Sequence, residues 1–499
     1  MVNILSKSKY ISRNIKDKFS LTDITVLDKI IDITSEKKIK CYLVGGAVRD
    51  IILGKTPKDL DFVVDKKAEN ISSEIALELN GEVLSNSEFG TSKLSVKKSI
   101  YDIANARSET YAHPGALPKV TRNSIDKDLW RRDFSINSVA IQLTQDEDWQ
   151  ILDPTDGLTD ISHGTIRVLH NKSFVDDPTR IFRAVKYSIR FGFSIDEKTE
   201  KLIGNCIKSN YINKISGNRI LSEVSQILEE DHFKESIQLL SSLGILSSIH
   251  PKLKIGDVLL DKLNQLNNDT KEDKSTLLTL LFSDINSEDI DDICQRLDVN
   301  PKKAQILHDI QTIKQNTKSL SKTKIINSEL MMLLDKLDIE AISSIQLISK
   351  NESLRNNLSN FLDKLRFIKP KIAAKEIISL GITPGPQIGN LLADIRFAVA
   401  DGILKTATEE KQLLVKLKVR WETSKVRLPR EFLSRGGEYF VRLRERQQFI
   451  EPHHLIFSMN GKNTLRSEKW SKHWKELMKG SGIKDWKKEH LKDESGEYV

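Results

Sequence analysis

Two adjacent glycines and two nearby aspartates are the residues of this chain best suited to chemistry. Gly45 and Gly46 end a short apolar run and precede a segment with helical character at residues 47–53. A paired glycine turn exposes backbone N–H groups and allows close approach, so it can hold a triphosphate at the start of the helix. Asp59 and Asp61 follow, two residues apart on an apolar strand. Because residues at that spacing share one face of a strand, their carboxylates suit paired Mg²⁺ ions that bridge nucleotide phosphates.

A second polar cluster follows about seventy residues later, where Arg131 and Arg132 precede Asp133 and Asn137. The two guanidinium groups offer fixed forks for phosphate or ribose oxygens. Asp133 and Asn137 are one helical turn apart and can share a face. An isolated Arg-Arg-Asp is typical of a solvated helix start. The cluster indicates a binding site only together with the glycines and aspartates upstream.

The third cluster predicts a capped helix with a basic face. Asp177 precedes Pro178, the usual pairing of an N-cap with the first helical residue. Arg180 and Arg183 follow near helical spacing.

In this order, the clusters resemble the motifs of the class II tRNA nucleotidyltransferases and bacterial poly(A) polymerases. Gly-Gly-Ala-Val-Arg-Asp followed by Asp-x-Asp looks like the first motif of that family, and the second cluster is similar to its Arg-Arg-Asp-Phe-Thr-x-Asn motif, with Ser135 in the Thr position. The resemblance implies an α+β fold: a polymerase-β-like nucleotidyltransferase head with an antiparallel-rich sheet, then all-α neck, body and tail domains. A basic C-terminal extension would follow.

The resemblance also implies roles for individual residues. The catalytic residues would be Asp59, Asp61 and Asp102, with Asp59 and Asp61 as metal ligands and Mg²⁺ as the cofactor. The nucleotide-binding residues would be Gly45, Gly46, Arg49, Arg131, Arg132, Asp133, Asn137, Asp177, Arg180 and Arg183.

Among these, Asp177 and Arg180 would read the incoming base. The chemistry agrees, because cytosine N4 and adenine N6 are amino donors that a carboxylate accepts, whereas guanine and uracil present a carbonyl there. Arg219 and Glu223 are spaced for an intrahelical ion pair that could buttress the helix carrying this template.

The pattern along the chain predicts the elements that must position these residues. The predicted domains are a nucleotidyltransferase head at 20–170, a helical neck with the template at 171–240, a helical, tRNA-binding body and tail at 241–415, and the extension at 416–499. Apolar residues recur at helical spacing in segments such as 219–230 and 303–315.

Composition narrows the class of protein. The 499 residues are 38% hydrophobic and 30% charged, which is typical of a globular chain with several domains. Three cysteines lie far apart in sequence, no apolar run approaches membrane-spanning length, and the first ten residues lack a signal-peptide core. A cytoplasmic protein without a membrane partner is therefore expected.

The extension carries most of the positive charge. From Leu417 onward there are 19 Lys/Arg and 12 Asp/Glu, so +7 of the net charge of +8 lies there, together with four of the six tryptophans. It loosely resembles part of the catalytic domain of tyrosine integrases. Two interpretations stay open: a module that binds nucleic acid through cations and stacking, or a packed domain with a solvated basic face.

The preferred function is addition of C, C and A to the tRNA 3′ end from CTP and ATP. Poly(A) polymerase activity, or CC-only or A-only addition, would use the same head motifs. A non-catalytic nucleic-acid-binding protein is the alternative from a different class. The sequence leaves the oligomeric state and the switch from C to A open.

Overall fold

The computed structural model describes residues 10–87, 90–146, 148–253, 274–283, 285–379 and 384–414. The chain divides into two compact units, Met1–Ala304 and Gln305–Val499. The predicted extension at 416–499 lies outside the described residues. The helices predicted as a neck belong to the same unit as the sheet. The predicted domain boundaries at residues 170, 240 and 415 stay predictions.

The first unit is built on an eight-stranded sheet with the strand order β1-β10-β9-β2-β3-β6-β5-β4. Two small sheets pair β7 with β8 and β11 with β12. The strands are β1 Tyr10–Ser12, β2 Cys41–Val44, β3 Leu60–Val64, β4 Glu82–Asn86, β5 Thr91–Val96, β6 Ser99–Asn105, β7 Arg107–Thr110, β8 Lys119–Arg122, β9 Ala140–Leu143, β10 Asp148–Leu152, β11 Thr165–Ile166 and β12 Ser194–Ile195.

The large sheet is antiparallel except between β3 and β6. All four residues of β2 are buried, as expected for a central strand covered on both faces. The parallel pairing of β3 with β6 requires a crossover, and the chain between them supplies a helix and two further strands. The predicted α+β class and antiparallel-rich sheet are confirmed.

Helices of the first unit cover the sheet and then continue as a helical array. They are α1 Leu21–Glu36, α2 Gly46–Ile52, α3 Ala68–Leu79, α4 Ile125–Trp130, α5 Gly157–His163, α6 Ser173–Asp176, α7 Arg180–Phe191, α8 Glu197–Lys208, α9 Gly217–Leu228, α10 Phe233–Ser242, α11 Ile245–Ile249, α12 Lys274–Leu281 and α13 Ser287–Arg296. Short 3-10 helices lie at Arg13–Lys18, Ser135–Asn137 and Tyr211–Lys214.

Two helices show how local sequence fixes the frame around the sheet. α1 begins at a capping box, in which Ser20 and Asp23 bond each other's backbone N–H groups. α7 buries one apolar stripe, including Ile181, Phe182 and Val185, while its arginines lie toward the other side. The apolar stripe anchors α7, so its polar face is held in a fixed place.

The described part of the second unit, residues 305–379 and 384–414, is helical. Its helices are α14 Pro301–Gln315, which crosses the division between the units, α15 Thr317–Leu320, α16 Asn327–Leu334, α17 Ile339–Ile348, α18 Glu352–Asp363, α19 Ala374–Ser379 and α20 Pro386–Ala400, with a 3-10 helix at Leu365–Phe367. The helices predicted at 219–230 and 303–315 are confirmed as α9 and α14. Among the described residues, no helix is long and apolar enough to cross a membrane.

Candidate active site

The first unit contains a polar cleft of about 750 Å³ where the sheet meets α7. Nearly all of the residues predicted to bind nucleotide or metal line it. Those lining residues are Gly45, Gly46, Arg49, Asp59, Asp61, Arg131, Arg132, Asp133, Asn137, Asp177, Arg180 and Arg183. Asp102 is not among the lining residues and lies on the strand beside Asp61.

The glycine turn forms one end of the cleft. β2 ends at Val44 and α2 begins at Gly46, so the predicted strand–turn–helix is present. Gly45 has φ +71° and ψ −134°, a conformation that side chains with a Cβ rarely adopt. A Cβ there would also lie 2.9 Å from Nη1 of Arg132. Glycine at this position therefore keeps the backbone, Arg132 and the cleft floor in close approach.

The carboxylates lie beside this turn. Asp61 is in β3, whereas Asp59 lies one residue before the strand begins and is exposed. Asp61 pairs in register with Asp102 of β6. Burial raises the pKa of Asp61; Arg132 opposes the shift, and Asp102 and Asp59 add to it. The carboxylate of Asp61 is therefore costly to ionise, mainly because it is buried, and its two acidic neighbours add to that cost.

A divalent cation suits this donor set. Oδ1 of Asp102 is buried and accepts no hydrogen bond, and Nζ of Lys93 lies 3.8 Å from it. Within the part of the chain that the structure describes, no three His, Cys, Asp or Glu side chains already form a metal cage. Mg²⁺ commonly binds through one or two carboxylates and completes its shell with water and substrate phosphates. Asp61 with Asp59 or Asp102 fits that pattern.

The tandem arginines are positioned by one buried carboxylate. Asp128 of α4 has a fully buried side chain and accepts from Nε and Nη2 of Arg131 at 3.0 and 2.8 Å. It also accepts from Nη2 of Arg132 at 3.0 Å. Burial raises the pKa of Asp128, but Arg132 and Arg131 outweigh it and hold that pKa below its usual value. Asp128 is thus an ionised anchor for both guanidinium groups.

Asp133 and Asn137 are in contact, although Asp133 precedes the 3-10 helix Ser135–Asn137 and does not share a helix with Asn137. Nδ2 of Asn137 donates to Oδ1 of Asp133 at 3.0 Å, and Oδ1 of Asn137 accepts from Nη1 of Arg49. Arg183 pairs with Oδ2 of Asp133 at 2.7 Å. Burial raises the pKa of Asp133, but Arg183 and Asn137 lead the groups that bring it below its usual value. The network fixes Arg49 and Arg183 at the cleft wall.

Two aromatic rings complete that wall. The guanidinium carbon of Arg49 lies 4.4 Å from the ring centroid of Phe191 and 5.4 Å from that of Tyr187. Arg183 lies 5.8 Å from the Tyr187 ring. Cations held over ring faces keep their charge in a partly buried place, which suits an anionic ligand.

The template helix begins later than predicted. Asp177 is extended, its carbonyl accepts from the backbone N–H of Arg180, and α7 begins at Arg180 after Thr179. Oδ1 of Asp177 accepts from N and Oγ1 of Thr179 at 3.1 and 2.7 Å, which turns the chain before the helix. Asp177 therefore makes the hydrogen bonds of the predicted cap, whereas the regular α-helix begins two residues after Pro178. Arg180 is buried and donates to Oγ of Ser173 and to the carbonyl of Arg131, each at 2.8 Å.

The predicted Arg219–Glu223 ion pair is also wrong. Nη2 of Arg219 donates to Oδ1 of Asp177 at 2.7 Å, and its Nη1 donates to the carbonyl of Gly115 at 2.9 Å. Glu223 lies 3.9 Å from Lys186 instead. Both residues project from α9 toward α7, so partners in another element replace the neighbour in sequence. Oδ2 of Asp177 has no hydrogen-bond partner among the described residues and remains available to a ligand.

Comparison with known proteins identifies the family. A family model described as the poly A polymerase head domain matches residues 41–167, and one described as the probable RNA and SrmB-binding site of polymerase A matches residues 192–255. Together with the relatives and solved structures described next, these matches support the family of class II tRNA nucleotidyltransferases and bacterial poly(A) polymerases.

Individual relatives of this nucleotidyltransferase family share sequence and fold with the chain. An A-adding tRNA nucleotidyltransferase of Geobacter sulfurreducens is 31% identical over 412 residues, which cover 79% of this chain and 47% of the relative. The chain therefore spans about half the length of that relative. A CCA-adding enzyme solved with ATP has a TM-score of 0.70 and 26% identity, covering 83% of this chain and 100% of that one. The Thermotoga maritima CCA-adding enzyme complexed with tRNA_CCA has a TM-score of 0.65 and 25% identity, covering 82% and 100%.

Several cleft residues of this family member were not predicted from its sequence. They are Lys55, Lys58, Glu109, Tyr111, Tyr187, Arg190, Phe191 and Glu230. Glu109 lies in β7 and Tyr111 directly follows that strand, and their spacing of two residues was a signal for one shared face. Asp128 does not line the cleft. It lies three and four residues before Arg131 and Arg132, and this helical spacing could have predicted that it anchors both arginines.

Proposed function

We propose that this chain transfers a nucleoside monophosphate from CTP or ATP to the 3′-hydroxyl of tRNA and releases pyrophosphate. One observation carries the proposal: the glycine turn, the Asp61–Asp102 pair and the Asp177–Arg180 template open into, or lie beside, one cleft. A triphosphate bound at the turn and a base bound at the template would be joined by a ribose. Each part of a nucleotide thus has a chemically matched group in the cleft.

The triphosphate would bind where positive groups and backbone N–H groups converge. Arg132 keeps Nε without a hydrogen-bond partner although that atom is buried, and its Nη1 faces Gly45. Arg49 is held by Asn137 and Asp50, so its position does not depend on the ligand. Preorganised donors bind developing negative charge without further rearrangement, which favours the transition state over the ground state.

Asp61, with Asp59 or Asp102, would hold Mg²⁺ between the nucleotide and the RNA 3′ end. Bound there, Mg²⁺ would lower the pKa of the attacking hydroxyl and neutralise charge on the leaving pyrophosphate. The carboxylates would fix the position of the bound Mg²⁺ and balance its positive charge. Separate proton-accepting side chains are not required by this arrangement.

Base selection would fall to Asp177 and Arg180. Oδ2 of Asp177 can accept an amino hydrogen of cytosine or adenine, whereas a guanine or uracil carbonyl would face it acceptor to acceptor. A buried polar group left unpaired costs about 1–3 kcal/mol, which corresponds to roughly tenfold to hundredfold rejection. The template therefore favours C and A over G and U.

A basic turn in the second unit supports RNA as the partner. Lys364, Arg366, Lys369 and Lys371 lie within eight residues, without an acidic residue among them. The Phe367 ring is 61% exposed, and the guanidinium carbon of Arg366 lies 4.4 Å from its centroid. Within the described residues, Lys364 and Lys369 form no ion pair. Unpaired cations beside an exposed aromatic ring fit phosphates and an unstacked base.

That turn is held rigid from behind. Arg396 of α20 donates to the carbonyls of Leu365, Arg366 and Ile368 at 3.3, 3.4 and 2.8 Å. Arg396 also pairs with Asp335, which directly follows α16. The carbonyls therefore point inward and the cationic side chains outward, so little conformational freedom remains to be lost when RNA binds.

Full CCA addition is the first candidate, since two solved structures whose whole length this chain covers are CCA-adding enzymes. A-only addition is the second, because the relative at 31% identity is A-adding. The deciding experiment supplies CTP and ATP, separately and together, to tRNA lacking CCA and to tRNA ending in CC. CCA addition extends both substrates. A-only addition extends only tRNA ending in CC, and only with ATP.

The remaining outcomes separate the other functions. Long A-tails on unrelated RNA would favour a poly(A) polymerase. If no nucleotide were incorporated while tRNA still bound, the proposal would fail in favour of a nucleic-acid-binding protein. The Asp61→Asn protein serves as the matched control, because it keeps the shape of the side chain and removes its charge.

A further inference from the structure

Glu109 occupies a position in the cleft for which the transfer reaction has no evident use. Its side chain is only 8% exposed and projects from β7. Oε2 accepts from the Tyr111 hydroxyl at 2.9 Å, and Oε1 accepts from Nη1 of Arg131 at 2.8 Å. Nη2 of Arg107 lies 3.4 Å from Oε1. Both carboxylate oxygens are thus engaged by protein groups.

Arg131 is fully occupied by two carboxylates. Its Nε and Nη2 donate to Asp128 at 3.0 and 2.8 Å, and its Nη1 donates to Glu109. The backbone carbonyl of the same residue accepts from Nη2 of Arg180 at 2.8 Å. Glu109 is therefore connected to Arg180 through one intervening residue, Arg131.

The neighbouring arginine is arranged differently. Arg132 donates to Asp128 through Nη2, while its Nε is buried without a hydrogen-bond partner. Its Nη1 faces the glycine turn, 2.9 Å from where a Cβ of Gly45 would lie. Arg132 thus directs unpaired donors toward the triphosphate end of the cleft. Arg131 instead directs its side chain toward Glu109 and its carbonyl toward Arg180.

We infer that Glu109 and Tyr111 are positioning residues for base selection, which fix Arg180 through the side chain and carbonyl of Arg131. The inference rests on the proposed function, because it needs Arg180 to contact the incoming base. Arg180 has two protein anchors, Ser173 and the Arg131 carbonyl. If Arg131 shifts, one anchor moves, and the fork of Arg180 no longer meets the base at hydrogen-bond distance.

The test compares Glu109→Gln and Tyr111→Phe with Thr110→Ala as the matched control. Glu109→Gln keeps the side-chain shape and removes the charge that holds Arg131, and Tyr111→Phe removes the hydroxyl donated to Glu109. Thr110 lies between them on the same strand with an exposed side chain. kcat/KM is measured for ATP, CTP, GTP and UTP on the tRNA that the wild-type protein extends.

Glu109→Gln should lower the preference for the accepted nucleotides over GTP and UTP by about tenfold, and Tyr111→Phe by a smaller factor. KM for tRNA should stay the same, and Thr110→Ala should behave as wild type. If both variants kept the wild-type nucleotide preference, the inference would be overturned. An equal loss for all four nucleotides would also overturn it, since a merely structural role predicts that result.

A double-mutant cycle identifies the route of the effect. Arg180→Ala is measured alone and combined with Glu109→Gln. If Glu109 acts through Arg180, the combined protein should select nucleotides no worse than Arg180→Ala alone. Multiplicative losses would mean an independent action of Glu109 and would contradict the inference. A wild-type protein that incorporates no nucleotide at all would instead refute the proposed function.

Discussion

Asp61 and Asp102 occupy the same register position on the adjacent parallel strands β3 and β6, so their carboxylates lie on one face of the sheet. The arrangement gathers negative charge at a partly buried place, and burial raises the pKa of Asp61. Nζ of Lys93 lies 3.8 Å from Oδ1 of Asp102, and a bound divalent cation would offset the repulsion that remains between the two carboxylates. The Asp61–Asp102 pair thus lowers the stability of the metal-free protein, while the same carboxylates are the groups proposed to bind the metal.

Asp61→Asn should abolish nucleotide incorporation. Loss of a metal-binding carboxylate removes several kcal/mol of transition-state stabilisation, so the rate should fall about a thousandfold or more. tRNA affinity should change less than about twofold, because Asp61 is not part of the basic turn at 364–371. Single-turnover incorporation and filter binding measure the two quantities. Normal turnover by this variant would remove Asp61 from the reaction.

The same substitution should stabilise the metal-free protein at neutral pH. Since the pKa of Asp61 is raised in the folded state, its ionised form opposes folding, and stability increases as the pH falls through the raised pKa. Asp61→Asn removes the ionised carboxylate that opposes folding. The melting temperature of this variant without divalent ions should therefore exceed that of wild type at pH 7. Added Mg²⁺ should raise the wild-type melting temperature and leave the variant unchanged. A variant that melts lower than wild type in EDTA contradicts this expectation.

Gly45→Ala should reduce both stability and activity. The strained backbone conformation at φ +71° costs about 1–3 kcal/mol for a residue with a Cβ, and the new methyl would push Nη1 of Arg132 out of place. Gly244→Ala is the matched control, because Gly244 has φ +74° but nothing within 4 Å of a Cβ. The control should lose stability and retain kcat. Equal kcat for the two variants would mean that the approach of Arg132 to Gly45 does not matter.

Sequence predicted the parts of the site that lie close together along the chain. The glycine turn and Asp61 follow from strand and helix periodicity within one segment, and Asp133 with Asn137 from the length of a helical turn. The ion pairs of Arg219 and the anchoring of Arg131 by Glu109 were not predictable in this way. They join residues 42 and 22 positions apart in sequence, which only the folded first unit brings together.

At the start of α7, the structure adds a tertiary contact to a local prediction. Asp177-Pro178 has the residue types of a helix cap, and local propensity alone favours that reading. In the structure, Oδ1 of Asp177 accepts both from Thr179 at the start of the helix and from Arg219 of α9. The carboxylate that sequence assigned to capping is therefore also held by a tertiary contact, which sequence did not predict.

Asp133→Asn should destabilise the protein in a pH-dependent way. Burial raises the pKa of Asp133, but Arg183 and the hydrogen bonds outweigh it, so the pKa lies below its usual value. A lowered pKa contributes stability that is present above the ordinary value of about 4 and is lost as the pH falls through the lowered value. The Arg183 side chain is 39% exposed and can be rehydrated, so the loss at pH 7 should be about 1–3 kcal/mol.

Thermal unfolding at pH 7 and at about pH 3.5 tests this dependence. The difference in melting temperature between wild type and Asp133→Asn should narrow at the lower pH. Asp126→Asn is the control, because Asp126 is an exposed carboxylate in the first turn of α4. A difference that stayed constant with pH would mean that Asp133 does not act as an ionised group.

Lys364→Gln combined with Lys369→Gln should weaken tRNA binding through electrostatics alone. If each lysine contacts one phosphate, the slope of log K against log salt should fall in magnitude by about 1–2. Phe367→Ala should weaken binding through lost stacking, worth about 1–3 kcal/mol, with the slope unchanged.

The control combines Lys324→Gln with Lys336→Gln, two exposed lysines of the same unit outside the turn. Binding titrations between 50 and 200 mM salt, roughly the range in which such slopes are resolved, separate the two effects. An unchanged slope in the Lys364/Lys369 protein, or an equal change in the control, would mean that tRNA does not contact this turn.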